Sequence, residues 1–259
     1  MTGSVRLEVS DGVAVLTNDN MEKHNAFDDA MDLQLFDALT ELRGRTDVRA
    51  VVWRGEGKSW SSGRDVGAIG NTAGELSHHE LMRRGHAGIQ QLFELDAPVI
   101  VAIQGWAIGG SFQRALLCDI RIAAEGAKLM LPEVGHGVIP DTGGVARLFQ
   151  MCGHGVVADM VLTGRHLTAE EALGLGIVSR IVAPEALDET AMEMAHKIAT
   201  APAVTVKMAR AVLNHLALPE VRSSMADELI YQTFISRSDD MAEFRAARTE
   251  GRDATYTGS

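Results

Sequence analysis

The chain has 259 residues, 46% hydrophobic and 23% charged, enough for one sizeable core and too apolar for a largely disordered protein. A formal net charge of −11 argues against nucleic acid, whose binding needs a concentrated basic footprint, but leaves room for an anionic small molecule held by a few cations and aimed backbone amides. Cys118 and Cys152 share no framework spacing, so neither a disulfide scaffold nor a metal site is expected.

From Met1 to Ser10 there is no apolar run and no cleavage pattern, which points to a cytoplasmic protein. Val5, Leu7 and Val9 alternate with polar residues, and Gly12 breaks the run before Val13 to Leu16, which predicts a hairpin. Met31, Leu35, Leu39 and Leu42 recur at helical spacing, with Asp28 and Asp29 where a helix start favours negative charge. Ala50 to Trp53 reads as a strand buried on both faces, followed by a glycine-containing turn from Gly55 to Gly63 and a helix from about His79 to Leu95. Val99 to Ile103 is the next buried strand, then come Gly105, Gly109 and Gly110, a helix from Phe112 to Leu117, and a strand beginning at Ile120 and Ile122. The apolar stretch Ala97 to Gly110 is broken by Pro98, Gln104 and Gly105 and is too short to span a bilayer. Repetition of strand, glycine turn and helix predicts an α/β core with a parallel sheet. From Val145 onward the strands thin out. Thr168 and Glu171 form a capping box, one short strand is expected near Ile177 to Val182, and Pro184 and Pro202 punctuate later helices. A boundary near residue 200 separates a core (1–199) from a helical C-terminal region (200–259).

Two glycine turns follow buried strands: Ser59-Trp60-Ser61-Ser62-Gly63-Arg64-Asp65-Val66 and Gly105-Trp106-Ala107-Ile108-Gly109-Gly110-Ser111-Phe112-Gln113. The second opens a helix, whose first amides lack intrahelical acceptors and whose dipole favours negative charge, so the turn suits a developing oxyanion. Tight packing alone would also explain the glycines. A third stretch, Leu131 to Gly144, sets Glu133 and Asp141 in an apolar environment, where a carboxyl's charged form is disfavoured and its pKa rises toward working pH. The structural alternative makes Asp141 the cap of a helix beginning near Gly143 and Glu133 a satisfied buried acid.

Taken in order, Lys23-His24-Asn25-Ala26-Phe27, Ser62-Gly63-Arg64-Asp65, Ala102 to Gly110, Ala115-Leu116-Leu117-Cys118-Asp119-Ile120-Arg121, Leu131 to Gly144, Leu162-Thr163-Gly164, Ala169 to Gly176 and Thr233-Phe234 resemble the enoyl-CoA hydratase/isomerase family, or crotonase superfamily, over nearly the whole chain. The resemblance implies a crotonase spiral of strand-strand-helix repeats with a helical C-terminal region, assembled as a trimer or as a hexamer of paired trimers. It implies an acyl-CoA thioester as substrate, coenzyme A entering as part of that substrate with no separate cofactor. By match, the backbone amides of Arg64 and Gly110 hold the thioester oxygen. Lys23, His24, Ser62, Gly63, Asp65, Val66, Ile108, Gly109, Pro132 and Phe234 line the coenzyme or substrate.

Three residues depart from the hydratase pattern. Gln113 stands where hydratases carry the first of two glutamates; an amide orients water or substrate but takes no proton at neutral pH. Glu133 keeps the second. Asp141 stands where hydratases often have glycine and several isomerases have aspartate. Arg114 replaces a usual apolar residue; it reads as a solvated or salt-bridged helix residue, or as a cation for an anionic substrate group. Arg248 and Arg252 are the nearest C-terminal cations and neither is assigned to a coenzyme phosphate. Cys118 reads as a buried apolar residue, and His136 as packed or exposed. The expectation is therefore an isomerase-type enzyme, with Glu133 as main base, Asp141 as second acid and Gln113 beside them. The alternatives are a 2-enoyl-CoA hydratase with Gln113 orienting water, another reaction on the same fold, or a catalytically weak CoA-binding member.

Overall fold

A computed structural model describes residues 3–68 and 76–259 of the chain. Its strands are β1 (Ser4–Ser10), β2 (Val13–Asp19), β3 (Ala50–Gly55), β4 (Val99–Ile103), β5 (Trp106–Ile108), β6 (Ile120–Ala124), β7 (Lys128–Met130), β8 (His166–Thr168) and β9 (Ile181–Val182). Asp11 and Gly12 turn between β1 and β2 with positive φ (50° and 79°), matching the strand twist of a tight hairpin. Beyond that hairpin the main sheet is parallel, in the order β1-β2-β3-β4-β6-β9, and β5-β7-β8 form a second sheet.

The central strands are apolar throughout because both sheet faces are covered. Successive residues face opposite ways: Val51, Trp53, Val101 and Ile103 join the larger core, while Ala50, Val52, Ile100 and Ala102 join a second. Helices α1 (Asp29–Gly44), α2 (His78–Glu94) and α3 (Gly109–Leu117) contribute to the first core; α4 (Gly144–Thr163) and α5 (Ala169–Gly174) follow, and α6 (Leu187–Ala199) closes the second core with Leu187, Ala191 and Ala195. Asp28 caps α1, its carboxylate accepting from the Met31 amide at 2.9 Å, and the Thr168–Glu171 box forms as the spacing predicts.

The strand expected near Ile177 to Val182 is limited to Ile181–Val182. The chain is still closing the end of α5 at Ile177 and Val178, whose amides both donate to the Ala172 carbonyl after Gly176 turns with φ 73°. By length and apolarity α4 is able to cross a membrane, but Gly153 (φ 74°, ψ 175°) divides it, and neither half approaches the roughly 20 residues of a span. After α6 come α7 (Ala203–Ile235) and α8 (Asp239–Glu250). The buried Arg210 fixes α7 to the body, its Nε donating to Asp119 at 2.9 Å and its Nη atoms to the carbonyls of Leu92 and Leu95.

Candidate active site

The two glycine turns are joined edge to edge. Ser61 pairs with Ala107: its amide donates to the Trp106 carbonyl and its carbonyl accepts from Ile108, both at 3.0 Å. Beneath this bridge the Ser61 hydroxyl reaches Ser111 Oγ at 2.7 Å. Gly63 has φ 89°, and a Cβ there would stand 2.7 Å from the Ile108 carbonyl oxygen, so only glycine allows the approach. On its other side the segment bridges Phe27, whose amide donates to Gly63 and whose carbonyl accepts from Asp65, each at 2.8 Å. A residue between two such bonds in a parallel bridge turns its own amide the opposite way, so Arg64 N–H faces away from Phe27. Gly110 is the second residue of α3, where no intrahelical acceptor exists. Neither amide has an acceptor among the described residues, and both residues line one cavity of about 640 Å³.

Glu133 enters that cavity from the short 3-10 turn Glu133–His136 behind β7. A Cβ on Gly109 (φ 56°) would lie 3.2 Å from its Oε1, which puts the carboxyl directly beside the Gly109–Gly110 turn. Oε1 accepts from Gln113 Nε2 at 2.9 Å, and the buried Oε2 has no partner. Burial, with a smaller contribution from the charge of Asp141, pushes Glu133 up to about 7. Asp141 is also in the cavity wall, and burial lifts it to about 6 against the opposing charges of Arg114 and Arg64.

Asp141 is not the helix cap that its spacing from Gly143 allowed. Gly143 is itself the residue before α4, left-handed at φ 78°, and its amide donates to Glu228 of α7 at 2.8 Å. The amide of the N-cap residue is thus satisfied from a helix far along the chain. Gln113 is fully buried and lies outside the cavity wall: its oxygen accepts from the Thr142 amide at 2.9 Å, and its nitrogen is spent on Glu133. The Thr142 donor fixes which end of the amide faces the acid, so Gln113 acts as a brace for Glu133 from behind the cavity wall.

A cluster of arginines and aspartates forms the opposite wall. Asp32 accepts from Arg64 Nη1 at 2.9 Å and from Arg114 Nη2 at 2.7 Å, while Asp29 pairs with Arg64 and stands 3.8 Å from Arg84. Arg114 also lies over the Phe27 ring, 4.8 Å from its centre. It is ion-paired, as one expectation held, but it is turned toward the cavity and largely shielded from solvent.

Of the other residues named from the sequence, Lys23, Ser62, Gly63, Asp65, Val66, Ile108, Gly109 and Pro132 line the cavity. Lys23 Nζ donates to Asp65 at 2.6 Å, a contact that holds the Asp65 carboxyl below its ordinary range. His24 and Phe234 do not line it: His24 bonds Ser59 Oγ at 3.0 Å, and Phe234 is 76% exposed on α7. Arg248 reaches the cavity wall, whereas Arg252 is tied to Glu243 and Glu250 on the surface. His136 is packed through Pro132 O at 3.1 Å, and burial pushes the Cys118 thiol well up. Among the described residues no acidic, histidine or cysteine cluster suits a metal ion.

Sequence reasoning overlooked Asp32, Arg84, Glu228 and Gln232. Asp32 interrupts the apolar stripe between Met31 and Leu35, which was a usable signal. Glu228 and Gln232 recur at helical spacing inside α7 and bond the amides of Gly143 and Ile139, partners that spacing alone does not reveal.

The family model for enoyl-CoA hydratase/isomerase matches residues 8–259. A carnitinyl-CoA dehydratase from Salmonella arizonae is 34% identical over the full length of both chains. The crystal structure of an enoyl-CoA hydratase/isomerase from Xanthobacter autotrophicus has a TM-score of 0.85 at 27% identity, covering 95% of this chain and 93% of that one. One from Pseudoalteromonas atlantica reaches a TM-score of 0.88 at 24% identity, covering 98% and 99%, a likeness of fold.

Proposed function

The chain belongs to the enoyl-CoA hydratase/isomerase family, and from that premise we propose that it removes a proton beside an acyl-CoA thioester and holds the enolate oxygen on the amides of Arg64 and Gly110. Membership makes it an acyl-CoA-processing enzyme and leaves the reaction to the chemistry of the cavity. The observation that carries the proposal is Glu133, a cavity-lining carboxyl with one unpartnered oxygen, raised to about 7 and braced by Gln113. Such a group takes and returns a proton near neutral pH. Two aimed amides stabilise the charge that arrives on the thioester oxygen, each contributing about 2.7–4 kcal/mol by analogy with other oxyanion sites.

Double-bond migration is the leading fate of that enolate. Glu133 takes a proton from C2 of a 3-enoyl-CoA, the electron pair spreads over the dienolate, and the same carboxyl delivers the proton to C4, giving the 2-enoyl product. Gln113 supports this course, since it is committed to Glu133 and Thr142 behind the cavity wall and an amide supplies no proton. Dehydration is the second course, favoured by the relatives named carnitinyl-CoA dehydratase. There Glu133 takes the C2 proton of a 3-hydroxyacyl-CoA, and Asp141 protonates the departing hydroxyl as water. Exposed apolar side chains on α7, among them Leu216 and Phe234, support contacts between copies in a trimer.

The shared step is tested by incubating butyryl-CoA with enzyme in deuterium oxide and following exchange at C2 by mass spectrometry. Exchange that survives Glu133→Gln removes the proposed base. The fates are separated by supplying 3-enoyl-CoA, 2-enoyl-CoA and 3-hydroxyacyl-CoA under identical conditions; brisk hydration without double-bond migration rejects the isomerase course.

A further inference from the structure

Arg114 sits one turn along α3 from Gly110, on the same face, about 6 Å farther along the axis. Helical side chains lean toward the N-terminus, so this one returns over the turn that holds the oxyanion amides. Only Nη2 of its guanidinium is hydrogen-bonded, to Asp32; Nε and Nη1 are buried with no acceptor. Arg84, across the cavity wall, likewise has a buried Nε without a partner. Three guanidinium groups, of Arg64, Arg84 and Arg114, contact two carboxylates, of Asp29 and Asp32. Two further acids lie nearby: Asp65, in the field of Arg64, is tied to Lys23, and Asp141 lies within the field of Arg64 and Arg114 but accepts no hydrogen bond from Arg114. Buried donors without acceptors are costly, and an arginine lacking part of its anionic complement in a shielded wall favours an incoming carboxylate.

We propose that the acyl group carries a second, free carboxylate received by the Arg114–Arg84 wall, so that the substrates are CoA monothioesters of short diacids. This deepens the acyl-CoA reading and rests on it. The one-turn separation from Gly110 suits an acyl chain of about four to six carbons. An apolar residue at position 114 would offer such a group nothing, so the arginine is the specificity determinant. Asp32 is a positioning residue, holding Arg114 and Arg64 on its two oxygens.

Isothermal titration of the full-length protein with glutaryl-CoA and pentanoyl-CoA, which differ only in the terminal group, tests this. The expected result is at least about tenfold tighter binding of glutaryl-CoA, a preference abolished in Arg114→Met and partly kept in Arg114→Lys. Equal affinities, or tighter binding of pentanoyl-CoA, overturn the diacid assignment and leave the acyl-CoA reading intact, solvent then serving those nitrogens. An equal loss for both ligands in R114M also overturns it, since the guanidinium would then serve a coenzyme phosphate. Binding of neither ligand rejects both readings together. The wild-type comparison decides the matter even if a variant fails to fold.

Discussion

Replacing Glu133 by Gln should make the protein less sensitive to alkaline pH even as it removes activity. In the folded chain the carboxyl titrates near 7 rather than at the ordinary 4.5, because burial disfavours its charge. The folded state therefore keeps a proton that the unfolded chain has released. Stability from this group is complete below about pH 4.5, falls as pH rises toward 7, and is level above that. At 1.36 kcal/mol for each unit of difference, ionised Glu133 costs the native state about 3 kcal/mol, of which about 2.5 kcal/mol develops between pH 5 and pH 8.5. Glutamine has no such titration. Its extra amide hydrogen where Oε2 lacks a partner is a fixed penalty that cancels when two pH values are compared. Urea unfolding of both proteins at one protein concentration, followed by the fluorescence of the buried Trp53 and Trp60, yields the four free energies. The wild type should lose about 2.5 kcal/mol more than the variant over that interval. Parallel pH curves, within about 0.5 kcal/mol, would mean that Glu133 is solvated in the folded protein and that its role as a neutral-pH base has lost its physical basis.

The same carboxyl should govern rate: C2 proton exchange on butyryl-CoA, measured as kcat/KM, should rise with pH to a midpoint near 7, and a midpoint below about 5.5 contradicts the buried base. Gly63→Ala forces a Cβ to within 2.7 Å of the Ile108 carbonyl and so parts the two turns; exchange should drop about 100-fold or more, and near-normal exchange would detach Arg64 from the oxyanion role. Arg210→Met leaves Asp119 without its cation and two carbonyls without the guanidinium donor, and chemical unfolding should show a loss of about 3–5 kcal/mol; a loss under 1 kcal/mol contradicts the anchoring of α7.

The parallel core was legible because doubly covered strands read as unbroken apolar runs, and β3 and β4 fall where Ala50 to Trp53 and Val99 to Ile103 predict. The two glycine turns were legible for a related reason: Gly63 and Gly109 occupy positive φ at a close approach, which the residue type itself announces. What spacing could not convey was partnership across the chain. The sequence sets Gln113 beside the acids, but its bonds to Thr142 and Glu133 emerge only in the fold. Asp141 is not the cap its spacing allowed, and the acceptor of the Gly143 amide, Glu228, lies 85 residues beyond Gly143. Phe234 matched a coenzyme-facing position by order alone, and in a single chain it faces outward.

The bond from Gly143 to Glu228, and that from Ile139 to Gln232, stitch the acid-bearing loop to the middle of α7. A fragment ending near residue 200 would retain Glu133, Asp141 and the amides of Arg64 and Gly110, yet Gly143 and Ile139 would lose the acceptors that hold the Asp141 loop in place. Evolutionary shuffling or laboratory truncation at that seam would thus separate a scaffold from its own acidity. Helix α7 is an integral wall of the reaction vessel, and a hinge at residues 200–202 cannot swing it away without opening the chamber.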